Sequence, residues 1–348
     1  MRVSRRSLFG GGAAAAIGAG VGAAIATTAH DEPSVATLPV NGEPVVATGT
    51  TQAGVDRPVI AQPHCLVTVV DLTEQPDLAA LGERVVTLTS GQAGDVLPDG
   101  AGDLTVTVGT GTALPGFASD PDDLIRDGDL LLLVAATDAS VLEPVTRDLV
   151  GQLTGATLRW QQRGQRGIRA DGISRNPLGH LDGIIVPRGE DELAENVWRS
   201  DGSTVCVIRR LRLDLDRFLA ETPERQDAVI GRRRADGAPL SGGDTMSEID
   251  LDAKSADGNY LVPARSHARA AHPSFTGSKL MLRRGYPYDN GPGDQGLVFI
   301  CHQADLDTFV RTQQRLDEAD DLMDYVTATA SGAFEILPGF TTDSPLGS

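Results

Sequence analysis

Aromatic residues are scarce: eight Phe, four Tyr and two Trp make up 4% of the chain. A core of useful size must therefore be aliphatic, packed from Leu, Val, Ile and Ala. Cysteine is scarcer still. Cys65, Cys206 and Cys301 cannot all pair, and each lies in an apolar run where a free thiol behaves as a small buried hydrophobe. Neither a disulfide framework nor a CxxC metal site is present. Positive charge is in deficit, with 30 Lys and Arg against 48 Asp and Glu, a net charge of −18. That balance argues against a nucleic-acid surface, whose phosphates need clustered cations. The cations do cluster locally, in Arg209-Arg210-Leu211-Arg212 and Arg232-Arg233-Arg234, so either a solvated face or a site for a small anion is open to them.

What the chain does have begins with a targeting segment. Ser4-Arg5-Arg6-Ser7-Leu8-Phe9 precedes a soft Gly/Ala stretch running to Ala26. This pattern is too Gly-rich and too weakly apolar for a transmembrane helix, and reads as a twin-arginine export signal over residues 1–29. Cleavage after Ala26 and cleavage after Ala29 both fit. The expected location is outside the cytoplasm: secreted, cell-envelope or periplasmic. Residues 30–60, rich in Pro, Thr, Val and Gly, form an extended lead-in without helical period.

From His64 the apolar spacing becomes regular. Residues 65–72, 104–109, 129–136 and 157–164 read as strands, and 76–91 as a short helix. Apolar residues at 141, 142, 145, 149, 150 and 153 give an amphipathic helix. The same order returns later. Strands are expected at 203–213, 279–286, 295–304 and 332–338, with helices at 215–231 and 306–316. Two β-α-β-β-α-β halves, 61–163 and 203–340, point to a duplicated ferredoxin-like fold, α+β with antiparallel sheets, ending in a tail at 341–348. Two stretches interrupt this repeat, 164–202 between the halves and 231–275 inside the second. Long insertions in a compact fold are commonly functional or disordered.

The insertions hold the residues with chemistry to offer. Gly179-His180-Leu181-Asp182-Gly183 lies in the first, and His267, Arg269, His272 and Pro273 in the second. Just beyond, Arg283-Arg284-Gly285-Tyr286 closes an apolar strand. Singly each has a plain reading: Asp-Gly is a common turn, a loop His is usually solvated, and a strand-end Arg snorkels to water. Together, and in this order, they resemble the dye-decolorising peroxidase family, with its GxxDG element, its H-x-R…P stretch and its Arg-Arg-Gly-Tyr strand end. Gln52-Ala53-Gly54-Val55 is similar to a further element near the start of mature members.

The resemblance spans nearly all of the mature chain. It implies the duplicated ferredoxin-like architecture and a haem b cofactor. His267 would be the proximal ligand of the haem iron, with His272 a distant rival. A carboxylate before the last strand would strengthen that imidazole; Asp324 aligns best and Asp320 second. Asp182 would be the distal acid-base, working best below neutral pH because a carboxylate of pKa ~4 stays basic where a His is already protonated. Arg283 would bind near the haem and stabilise the leaving oxygen, with Arg284 a possible substitute, and Arg232 would pair with a haem propionate. The family commonly has Phe where His180 stands, which puts a second titrating group beside Asp182. Trp160, Trp198 and the tyrosines are expected to be packing residues, with electron relay the alternative. The implied activity is reduction of hydrogen peroxide through a ferryl intermediate at the expense of small aromatic reductants, dyes or phenols. A haem-handling, iron-releasing role like that of deferrochelatases is the alternative, and homo-oligomers are expected from the family. A haem-free binding module is the reading the intact His267, Asp182 and Arg283 speak against.

Overall fold

The computed structural model describes residues 42–167, 169, 171–341 and 343–348. The expected export signal and residues 30–41 of the lead-in lie outside them. The first half runs β1 (His64–Leu72), α1 (Leu78–Thr89), β2 (Thr105–Thr112), a two-residue β3 (Ile125–Arg126), β4 (Leu130–Ala136), α2 (Leu142–Gly151) and β5 (Ala156–Gln165). The first insertion holds the hairpin β6 (Ser174–Arg175) and β7 (Leu181–Asp182), then α3 (Gly189–Asn196). The second half runs β8 (Thr204–Leu213), α4 (Leu215–Ala220) and α5 (Pro223–Ile230). After the second insertion, with its short helices α6 (His267–Ala270) and α7 (Pro273–Thr276), it continues as β9 (Leu282–Arg283), β10 (Tyr286–Asp289), β11 (Gln295–Gln303), α8 (Leu306–Ala319) and β12 (Val326–Ile336).

The strand order is β10-β11-β8-β12-β2-β4-β1-β5. Each half contributes its strands as second, third, first, fourth, so the two halves repeat one another, joined edge to edge where β12 pairs antiparallel with β2. The ends of this path then meet. Gln162 on β5 and Asn290 just after β10 exchange amide hydrogen bonds of 3.2 and 3.0 Å. A Cβ on Gly164 would lie 2.5 Å from the Cβ of Tyr286, so only glycine lets β5 and β10 approach this closely. The sheet is thus a closed barrel.

Alternation along the strands divides the core between two faces. On β1, Cys65, Val67 and Val69 point into the barrel, while Leu66 and Val70 pack outward under α1 and α2. Both faces are buried, so these strands read as continuous apolar runs. On β8 and β11, Ile208, Val298 and Ile300 face inward, while Val207, Phe299 and Cys301 pack against Phe309 of α8. All three cysteines are free and buried.

Two element boundaries depart from the expected ones. The helix expected over 215–231 is two helices, because Pro223 takes the first turn of α5 and the Thr222 hydroxyl caps it at Arg225 N. The strand expected over 279–286 pairs only at Leu282–Arg283 and again from Tyr286. Leu280 N instead donates to the Asn196 side chain at the end of α3. Among the described residues no helix is long and apolar enough to cross a membrane.

Candidate active site

His267 opens α6, a single turn started by Ser266, whose hydroxyl donates to Pro263 O. Its Nδ1 lies 2.7 Å from Asp320 Oδ2. A carboxylate only accepts, so Nδ1 carries a proton, and in the neutral ring Nε2 is left with the free lone pair. Asp320 is fully buried, whereas 38% of the His267 side chain is exposed, so the ring is fixed from behind and open in front. Burial draws the His267 pKa down, but the charge and hydrogen bond of Asp320 outweigh it and leave it above the ordinary value. Arg283 lowers and Asp182 raises the same pKa, which puts both within electrostatic reach of the ring.

Asp320 holds this position because it joins two elements. It ends α8, and its other oxygen caps a 3-10 turn (Asp321–Tyr325) at Leu322 N, 2.8 Å away. The expectation that Asp324 would back His267 is corrected here. Asp324 lies one turn further on, exposed, and what it contributes is a backbone carbonyl to Arg217. His272 is not arranged as a ligand either, since its Nδ1 accepts from Ser274 N and caps α7.

Asp182 ends the β6–β7 hairpin, and its Oδ1 lies 3.6 Å from Arg283 Nη2. Arg283 also donates to Ile185 O at 3.0 Å, and Arg188 holds the same loop through Gly183 O and Ile184 O. The motif's glycines serve backbone shape: Gly179 and Gly183 have φ of +85° and +84°, a region costly for other residues. Gly179 also lies against the Arg234 guanidinium, not against open space. His180 is buried, with Nε2 3.0 Å from Asp227 Oδ1 on α5. Burial lowers its pKa more than Asp227 raises it, so the ring is neutral at physiological pH. Asp227 is a residue that no sequence pattern marked, because 47 positions separate it from its partner.

Neighbouring arginines take different tasks. Arg283 faces Asp182, and Arg284 turns into the barrel, where it donates to Pro58 O at 2.7 Å. Strand alternation predicts this divergence. Arg232 is buried and commits its guanidinium to the carbonyls of Gly237, Thr245 and Ser247. Burial first, and the charge of Arg283 second, lower its pKa, so these two cations share one region. Trp160 packs inside the barrel, and Trp198 donates to Asp56.

An imidazole fixed by a buried carboxylate, within electrostatic reach of a guanidinium and a second carboxylate, is a donor set that would suit haem iron. Residues 173–341 match the family model described as Dyp-type peroxidase, C-terminal. The chain is 30% identical to the dye-decolorizing peroxidase of Thermobifida fusca, over 96% of this chain and 94% of that one. It is also 30% identical to the deferrochelatase of Yersinia pestis, over 75% of this chain and 69% of the relative. The solved DyP-type peroxidase of Streptomyces coelicolor aligns with a TM-score of 0.81 at 30% identity, covering 89% of this chain and 97% of that structure.

Proposed function

Because this chain belongs to the dye-decolorising (DyP-type) peroxidase family, we propose that His267, Asp182 and Arg283 carry its haem-dependent reduction of hydrogen peroxide. The observation that carries this reading is the His267–Asp320 pair, with Asp182 and Arg283 in reach of the same ring. Haem b, when bound, supplies the redox chemistry on peroxide. Everything else is the work of side chains. His267 would offer Nε2 to the haem iron, and Asp320 holds its tautomer and raises its basicity. Asp182 takes the proton from one peroxide oxygen and returns it to the other. Arg283 keeps its positive charge throughout and stabilises negative charge growing on the departing oxygen. Arg232 lies near enough to add to the same positive field. Small aromatic compounds, phenols or dyes, are the proposed electron donors.

The two distal roles should fail differently. Asp182→Asn keeps size but cannot accept a proton, and should slow the reaction with peroxide by about 10²–10⁴-fold and lose the acidic limb of its pH profile. Arg283→Leu should cost about 10²–10³-fold and keep the profile's shape. Stopped-flow absorbance between about pH 3 and 8, bracketing ordinary carboxylate and imidazole titration, separates them. An Asp182→Asn enzyme with the native rate and profile would remove Asp182 from the mechanism.

The similarity to deferrochelatases supports a second reading of the same pocket, iron release from haem. Metal-free porphyrin among the products of haem turnover would favour it. We further propose export through the Arg5-Arg6 signal. Replacing both with Lys should leave uncleaved, haem-loaded precursor in the cytoplasm, and continued export of that variant would refute the assignment.

A further inference from the structure

The barrel interior contains a second polar site, on the face of β9–β10 turned away from Asp182. We infer that this site binds a small monovalent anion of chloride's size between Arg284 and His302. Both residues are more than nine-tenths buried. Neither ring nitrogen of His302 has a hydrogen-bond partner among the described residues. The Arg284 guanidinium makes one hydrogen bond, to Pro58 O, and has no carboxylate within ion-pair distance among the described residues. The two line a common cavity with Thr105 and Thr107 of β2, Cys65 of β1 and Tyr286 of β10.

The chemistry of this lining is one-sided. Burial pushes the Cys65 thiol up to about 12 and the Tyr286 phenol above its usual range, so both stay neutral. Burial, with the Arg284 charge behind it, takes His302 down to about 3, leaving a neutral ring that presents one N–H. Arg284 itself falls to about 10 and remains a cation at neutral pH. No carboxylate lines the cavity, and Arg166, stacked 5.7 Å from the Tyr286 ring centre, adds positive potential. Asp56 offsets that only weakly, being the last of the influences on Arg284.

A buried guanidinium with a single carbonyl partner is costly, because its desolvation is not repaid. Water would satisfy the His302 N–H but leave the charge unbalanced. An anion does both. The cavity has about 20 Å³ open to a water-sized sphere, room for one small particle such as a water or a monatomic ion and none for an organic ligand.

The direct test is anomalous diffraction at the bromine edge from crystals of haem-loaded wild-type protein grown in sodium bromide. A bromide peak is expected in contact with the Arg284 guanidinium and the His302 ring. Bromide found only elsewhere, at the iron or on the surface, overturns the inference. The solution test compares Tm in sodium chloride and in sodium gluconate at constant ionic strength. A ligand bound to the folded state alone raises stability with its concentration. Wild type should gain a few degrees in chloride, and His302→Phe and Arg284→Met should lose that gain while keeping the wild-type Soret band. An undiminished chloride response in both variants would place the effect elsewhere and sink the proposal. If Arg284→Met does not fold, His302→Phe and the wild-type bromide map still decide.

Discussion

At His267 two carboxylates compete for one imidazole, and position along the chain decides between them. Asp320 sits at the junction of α8 and the following 3-10 turn, so its side chain is turned inward and buried, while Asp324 faces solvent. Removing charge from a partner of this kind typically costs about 10–100-fold in metal affinity or activity. Asp320→Asn should therefore weaken haem retention or the peroxide reaction by that factor, and Asp324→Asn should leave both near wild type. Haem titration followed by stopped-flow kinetics gives both numbers, and equal losses in the two variants would contradict the geometry. The motif around His267 was legible because it is local. Its carboxylate was not, since adjacent acids in Asp320-Asp321 and Asp324 differ only in the direction the folded turn gives them.

Between elements, the decisive link joins the β6–β7 hairpin to α5. His180 lies two residues before Asp182 and is held by Asp227, with the Phe218 ring 6.2 Å away edge-on. Phe at this position would stack on Phe218 and need no carboxylate, whereas His requires one. Its Nδ1 already lacks a partner among the described residues, so Asp227→Ala would strand both ring nitrogens. That variant should cost about 1–3 kcal/mol and loosen the loop that carries Asp182. In a His180→Phe background the same substitution should cost less, though not nothing, because Asp227 also accepts from Arg234 N. Urea denaturation of the four proteins in the cycle measures the coupling. Equal costs in both backgrounds would mean that the link does not hold the hairpin. The Asp182-Gly183 turn and the helix around Asp227 were each readable as segments, but their link crosses from one insertion into the second half.

For the molecule as a whole, closure of the barrel creates the dry interior that governs His302. Its pKa in the folded state, about 3, lies below the ordinary 6.5. As pH falls below 6.5, the unfolded chain takes up a proton that the folded one refuses, so stability drops, and the loss stops near the folded pKa. Within that window the slope from this one group approaches about 1.4 kcal/mol per pH unit. In chloride-free gluconate buffer, wild-type Tm should consequently fall more steeply between pH 6.5 and 4 than that of His302→Phe. Parallel curves would show that the folded protein accommodates the His302 proton.

Periodicity along the chain, by itself, determined the two β-α-β-β-α-β halves and the opposite directions of Arg283 and Arg284. The order of motifs, read as a family resemblance, marked His267, Asp182 and Arg283. The break at Thr222-Pro223 was also written locally, in a capping residue followed by a first-turn proline. Tertiary structure alone decided which side of β9–β10 became the barrel interior, that β5 closes on β10 through Gly164, and that Asp320 backs His267. The physical reason is range. Period and turn chemistry are properties of neighbours in the chain, whereas the Asp320–His267 contact joins residues 53 apart and the Arg283–Ile185 contact residues 98 apart. Such pairs exist only once the sheet has closed and the insertions have been laid against it.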